Sequence, residues 1–329
     1  MRYIGSKTLL LDNIRSLLPL DSINMVFSDP FGGIGTVGHY MKKQGFKVIS
    51  GDTLHFAHFF QVSLIKLNSM PSFAGILSDI CISEKIEEYL NSIQTDQGWF
   101  IEEYCRNRQF FTLENAQCIQ ACIDEIWKWN SNKKITNDEY AILIASLIQS
   151  MDKVANTAGT YYAYLKNYNR KALKPFHFNL LQPVNGDIGC NCFVQDANNF
   201  VRSNPCDILY LDPPYNTRDY NKYYHLPETI AKGEVPIVVG KAGIPQRKSE
   251  RSPFIVKSKA ESAFADLIQH AEYKVLIFHY TDNGILNKQF IKDVLHEQGK
   301  VEEYYFFSKG YTTKTVALNN QHHVYKVIK

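Results

Sequence analysis

Residues 211–215 read Leu-Asp-Pro-Pro-Tyr and follow the apolar run Asp207-Ile208-Leu209-Tyr210. A short strand there would deliver an acid, two prolines and an aromatic ring to its carboxyl end, where open α/β sheets keep their ligands. Pro213 and Pro214 have no backbone N–H and stiffen the turn, so nearby carbonyls stay available as acceptors. Asp212, a carbonyl and the face of Tyr215 together suit a flat base that carries an exocyclic amine. A bare strand followed by a Pro-rich turn is the plainer reading of the same five residues.

A second group lies near the start of the chain. Gly33-Ile34-Gly35-Thr36-Val37-Gly38 has the spacing Gly-x-Gly-x-x-Gly between a predicted strand and a predicted helix, a weak signal by itself. Gly33 and Gly35 would let the backbone approach a ligand where a Cβ would collide. Asp52 ends the next predicted strand, where an acid can accept both hydroxyls of a ribose. A nicotinamide dinucleotide would give no reason for Asp212 to Tyr215. S-adenosylmethionine would, because it joins an adenosine to an amino-acid tail and a reactive sulfonium. Lys7, after Gly5-Ser6, could hold the tail's carboxylate by a charge-assisted bond; a solvated lysine is its plainer reading.

The elements that must position these residues follow from periodicity. Thr8 to Leu18 has helical apolar spacing and ends at Pro19. Met25-Val26-Phe27 predicts a strand, Thr36 to Gln44 a helix closed by Gly45, and Phe46 to Asp52 a second strand, which together make one βαβ unit. From about Ser78 to Lys166 the chain reads as mainly helical. Ile119, Cys122, Ile123, Ile126 and Trp127 mark one amphipathic helix. Thr136-x-x-Glu139 is a capping-box pattern before the apolar stretch Ala141 to Met151. Strands return at Phe193–Val194, Asp207–Leu211, Lys274–His279, Glu302–Phe307 and His323–Ile328. The expected fold class is therefore α/β, a Rossmann-like sheet over 1–75 and 176–329 interrupted by a mainly helical insertion at 76–175.

Composition narrows the class. The chain has 329 residues, 45% hydrophobic and 21% charged, which fits a globular protein with one large domain and an insertion. A net charge of +3 permits nucleic-acid binding without arguing for it, so local clusters must carry that case. Lys241 to Lys259 holds six basic residues (Lys241, Arg247, Lys248, Arg251, Lys257, Lys259) against Glu250 alone and reads as a loop. Tyr161, Tyr162, Tyr164, Lys166, Tyr168, Arg170, Lys171 and Lys174 interleave rings and cations as a DNA-facing surface would. Ser308 to Lys314 is a third candidate for phosphate contact, and Tyr223, Tyr224 and His225 are candidates for shaping a base pocket. Each of these stretches has an ordinary reading as a solvated loop or as packing. The seven cysteines have neither Cys-x-x-Cys pairs nor accompanying histidines, so they read as reduced thiols, and no metal is expected. No apolar run is long enough to span a membrane, and no secretory leader is read at the start, so a cytoplasmic protein is expected.

Taken together, Tyr3-Ile4-Gly5-Ser6-Lys7, Asp29-Pro30-Phe31-Gly32-Gly33-Ile34-Gly35, Asp52 and Asp212-Pro213-Pro214-Tyr215 occur in the order seen in alpha-class (Dam-like, D12) DNA adenine N6-methyltransferases, which this chain resembles. The start of the chain and Asp152 to Lys166 look especially like the methyltransferases of FokI-type restriction–modification systems. The resemblance implies S-adenosylmethionine as cofactor, with Tyr3, Lys7, Asp52 and Asp212 at the donor and Phe31, Gly33 and Gly35 lining its pocket. Asp196 stands where the family often has an acid near the donor's adenine; a surface Asp after a strand is the alternative. The resemblance implies double-stranded DNA as partner, a target-recognition role for the insertion, a separately encoded endonuclease and a monomeric enzyme. Asp212 and the Pro213 carbonyl would accept the two N6 hydrogens of an extruded adenine, with Tyr215 stacked on the ring. Cytosine N4 transfer is the near alternative, though its enzymes typically carry Ser where Asp212 stands. A non-catalytic DNA-binding subunit and an RNA or protein methyltransferase also remain open. Cytosine C5 chemistry would need a cysteine nucleophile; the candidate, Cys206, precedes a strand and reads as core.

Overall fold

The computed structural model describes residues 1–19, 24–77, 85–187, 189–246, 251–281, 284–309 and 319–329. The chain forms two compact units: Met1–Ile4, Leu54–Pro183 and Tyr220–Ser249 in one, Gly5–Thr53, Val184–Asp219 and Glu250–Lys329 in the other.

The second unit is built on a seven-stranded sheet. Its strands are β1 (Val26–Asp29), β2 (Lys47–Asp52), β3 (Asn191–Val194), β4 (Ile208–Leu211), β7 (Val275–Tyr280), β8 (Lys300–Lys309) and β9 (Asn319–Ile328). Their spatial order is β3-β2-β1-β4-β7-β9-β8. The first five run parallel, while β9 is antiparallel to both β7 and β8. β4 and β7 are buried at every position, as parallel strands covered on both faces should be. Alternation along them divides the core. Leu209, Leu211, Leu276, Phe278, Tyr280, Tyr325 and Val327 pack with the helix Lys257–His270 on one face. On the alternate positions Phe27 lies against Phe46 and Tyr210, each pair of rings 6.0 Å apart.

The βαβ unit forms as the sequence predicts. The helix Thr36–Lys43 ends where Gly45, at φ 86°, donates to the Lys42 carbonyl at 3.0 Å and Phe46 N donates to the Met41 carbonyl at 3.2 Å. This is the glycine-closed end expected of such a turn.

The first unit is mainly helical, with a small hairpin of β5 (Val238–Val239) and β6 (Ile244–Pro245). Its centre is the helix Asn137–Asp152, buried along almost its whole length and opened by a complete capping box between Thr136 and Glu139. Trp129 is the fully buried tryptophan of the helix Leu113–Ser131; Trp127 is half-buried and donates to the Ile230 carbonyl at 3.1 Å. The helical unit is larger than the span 76–175 read from the sequence. The helix His55–Gln61 belongs to it because Glu228, on the helix His225–Lys232, accepts from Phe56 N at 3.1 Å and pairs with His55 at 3.0 Å. Among the described residues, no helix is long and apolar enough to cross a membrane, and no group of His, Cys, Asp and Glu could hold a metal ion.

Candidate active site

Three neighbouring parallel strands bring three acids to one end of the sheet. β1 ends at Asp29, β2 at Asp52, and β4 leads straight into Asp212. In register, Asp29 lies opposite Ser50, so Asp52 stands just beyond it, and Leu209 lies opposite Ser28. The order reverses between β1 and β4, because β2 and β3 extend the sheet on one side of β1 and β4 on the other. Open α/β sheets bind ligands at this crevice.

The glycine turn is tied to two of the acids. Gly33 and Gly35 sit at φ 51° and 78°, in the left-handed region that a side chain disfavours. Gly33 N donates to Asp52 Oδ2 at 3.0 Å, and Phe31 N donates to Asp29 Oδ1 at 3.1 Å. Gly32 N donates to the Gly51 carbonyl at 2.9 Å, joining the turn to β2. Phe31 meets Phe254 edge-on at 5.0 Å.

Asp212 is the third acid. Lys7, only 5% exposed, donates from Nζ to the Gly5 carbonyl at 2.8 Å and to Asp212 Oδ2. Asp212 Oδ1 is buried and meets no donor among the described residues. Burial pushes the Asp212 carboxyl above the usual carboxylate range, and the Lys7 ammonium opposes that rise. Asp29 is pushed up to about 8, first by burial and then by the Asp212 charge, with Asp52 adding to it. The sequence reading gave Asp29 no role of its own; an acid closing a buried strand was the available signal.

Past Asp212, Pro213 is buried and Pro214 and Tyr215 are half-buried. The Tyr215 carbonyl accepts from Ile285 N at 3.0 Å, and its ring meets Tyr280 edge-on at 6.5 Å. The Tyr280 hydroxyl in turn accepts from Leu286 N at 2.9 Å, fixing the wall behind Tyr215.

Other expected residues have structural employment. Asp196 caps the helix Ala197–Ser203, accepting from Asn198 N at 3.0 Å and Asn199 N at 3.4 Å. Tyr3 belongs to the helical unit, where it stacks on Tyr224 at 5.0 Å. In the ring-and-cation stretch, Tyr161 is buried, Tyr168 donates to the Phe111 carbonyl at 2.9 Å and Lys171 to the Asp152 carbonyl at 3.0 Å. Tyr162, Lys166, Arg170 and Lys174 are left exposed. His225 is buried, with Nε2 2.9 Å from the Tyr161 carbonyl oxygen. The stretch 241–259 is not one loop: it contains β6, a single 3-10 turn at Pro253–Ile255 capped by Ser252, and the first turn of the helix Lys257–His270. Phe254 and Ile255 are buried there, which the count of charges concealed. Arg247, Lys248, Glu250 and 310–314 lie outside the described residues.

The sequence pattern of D12 class N6 adenine-specific DNA methyltransferases matches residues 3–281. The chain belongs to that family. Among curated relatives of this D12 chain, the type II methyltransferase M.FokI of Planomicrobium okeanokoites is 33% identical over 94% of the chain and 49% of the relative. The modification methylase StsI of Streptococcus sanguinis is 32% identical over 98% and 50%, and the type II methyltransferase M.NlaIII of Neisseria lactamica 32% over 92% and 90%. The D12 chain thus spans about half the length of M.FokI and StsI and most of M.NlaIII.

Proposed function

We propose that this D12 chain is a site-specific DNA methyltransferase that moves a methyl group from S-adenosylmethionine to N6 of an adenine turned out of the duplex, as the modification half of a restriction–modification pair. The observation that carries this reading is Asp212 Oδ1, buried and without a donor among the described residues, in the same acid cluster as Asp29 and Asp52. A buried acceptor left open is costly unless a ligand completes it. The residues present fit the cofactor: left-handed glycines at a strand–helix turn for close approach, and Asp52 at the end of the next strand for a sugar.

S-adenosylmethionine, when bound, supplies a methyl group on a positively charged sulfur. The protein's part is orientation. An adenine amine is a poor nucleophile because its lone pair is spread into the ring. Asp212 Oδ1 and the Pro213 carbonyl accept its two hydrogens, which favours a pyramidal nitrogen with a localised lone pair. Lys7 stabilises the charge on Asp212 and so preserves its role as acceptor. Tyr215, backed by Tyr280, supplies a face for the extruded ring. Asp196 acts through the helix it caps. The helical unit reads the target, with Tyr162, Lys166, Arg170 and Lys174 toward DNA, and Arg251, Lys257 and Lys259 toward phosphates. The enzyme acts as a monomer in the cytoplasm, beside a separately encoded endonuclease.

The test is tritium transfer from labelled donor to duplex DNA, followed by sequencing of modified bases. N6-methyladenine at one short recurring sequence is the expected result. N4-methylcytosine, or no transfer by folded protein that binds the donor, would overturn the reading.

A further inference from the structure

The turn that carries Asp212 to Tyr215 leads on to a cation without a partner among the described residues. Arg218 stands three residues past Tyr215 and is exposed. Its guanidinium makes no hydrogen bond or ion pair among the described residues. Other cations around the sheet are occupied: Arg202 pairs with Asp266 at 2.6 Å, and Lys274 with Asp207 at 2.7 Å. Yet the backbone of Arg218 is held. Its N–H donates to Asn216 Oδ1 at 3.0 Å, closing a local turn of the kind asparagine favours. Before it, the Tyr215 carbonyl accepts from Ile285 N at 3.0 Å; after it, Asp219 is only 8% exposed. The residue therefore combines a fixed base with an unpaired, exposed head.

Reach and charge say what that head can meet. Three residues span at most about 11 Å, so the Arg218 backbone lies within that distance of Tyr215. In the functional reading the extruded adenine stacks on Tyr215, which puts the sugar and phosphates on either side of that nucleotide at the mouth of the same pocket. That mouth is otherwise hostile to a polyanion. β1, β2 and β4 bring Asp29, Asp52 and Asp212 to this end of the sheet, and Lys7, buried beside Asp212, is taken by it. A guanidinium offers N–H donors in a rigid fork that matches two phosphate oxygens at once, and it keeps its charge throughout the working range of pH.

We propose that Arg218 binds a phosphate flanking the target adenine, on the strand that is methylated, and so holds that nucleotide in its turned-out state. The inference rests on the methyltransferase reading and adds to it a residue that touches the substrate away from the reacting atoms. Its charge and paired donors fix the backbone of the extruded nucleotide, and this offsets part of the cost of unstacking the base.

The test moves a neutral methylphosphonate, one linkage at a time, along the strand that carries the target adenine. Arg218→Ala and Arg218→Lys are each compared with the wild type. On the natural duplex, Arg218→Ala should lose about tenfold in kcat/KM for DNA, with melting temperature and donor affinity unchanged, and Arg218→Lys should recover part of the loss. In the wild type, a methylphosphonate at one of the two flanking linkages should cause a similar loss. At that linkage the two losses should not add, whereas at distant linkages they should. Wild-type kinetics in Arg218→Ala, or losses that add at every linkage, would overturn the proposal. A second arm needs no methyl transfer: the slope of the logarithm of duplex affinity against the logarithm of salt concentration should fall by about one in Arg218→Ala. If the wild-type chain moves no methyl to duplex DNA, the functional reading fails instead, and an unchanged slope would still overturn the phosphate contact.

Discussion

At the scale of the residue, the proposed chemistry turns on one carboxylate with two unlike oxygens. Asp212 Oδ2 accepts from Lys7, and Oδ1 is buried with no donor among the described residues. Asp212→Asn keeps the volume and one carbonyl acceptor but loses the charge. Single-turnover transfer should fall by about 100-fold or more, with the fold intact by circular dichroism; a near-normal rate would remove Asp212 from the mechanism. Asp212→Ala should abolish transfer. Asp29 makes a separate prediction about pH. Its folded-state pKa is raised to about 8, so its proton stabilises the folded protein fully below the ordinary carboxylate range. That contribution is lost as the pH rises through about 8. Asp29→Asn, which can still accept from Phe31 N, should match the wild type in urea denaturation at pH near 4, exceed it increasingly as the pH rises toward about 8, and hold a constant advantage above that. Equal midpoints at both ends of that range would show that Asp29 titrates normally. Much of this was visible as types and spacing, since Asp29, Asp52 and Asp212 each close an apolar run. The Lys7–Asp212 pair was not, because it joins positions 205 apart in sequence.

At the scale of the element, local rules did most of the work. The βαβ unit was legible because its strands are short apolar runs, its turn is glycine and its helix stops at Gly45. Gly35, at φ 78°, tests the turn. Gly35→Ala should cost about 1–2 kcal/mol in unfolding free energy and weaken donor binding measured by calorimetry; unchanged affinity would mean that the turn does not hold the donor. The capping box at Thr136 was legible for the same local reason, and both of its reciprocal bonds are present. Thr136→Ala should lower stability by about 1 kcal/mol and leave transfer unchanged. Asp196 shows the limit: an acid after a strand reads equally as a ligand contact or as a helix cap, and here its oxygen takes two backbone N–H groups. The charged stretch 241–259 failed differently, because Phe254 and Ile255 find a core that charge counting cannot foresee.

At the scale of the whole molecule, the functional proposal predicts salt-dependent DNA binding. The logarithm of affinity should fall linearly with the logarithm of salt concentration, and Lys257→Ala with Lys259→Ala should reduce the slope by about two if each contacts a phosphate. An unchanged slope would take that helix end away from the DNA. The sequence by itself determined the chemistry on offer and the local pieces that carry it: an acid, two prolines and a ring after a strand, and glycines between a strand and a helix. Those features depend on neighbours a few residues apart, where hydrogen bonding and apolar periodicity decide. Only the tertiary structure decided that β4 lies against β1, that three acids share one end of the sheet, and that Lys7 claims one oxygen of Asp212. It also drew the helical unit from three separate spans, because His55 and Phe56 are bound by Glu228 across 173 and 172 positions. Such pairings follow from how buried surfaces fit together once the chain is folded, and no periodicity along the sequence encodes them.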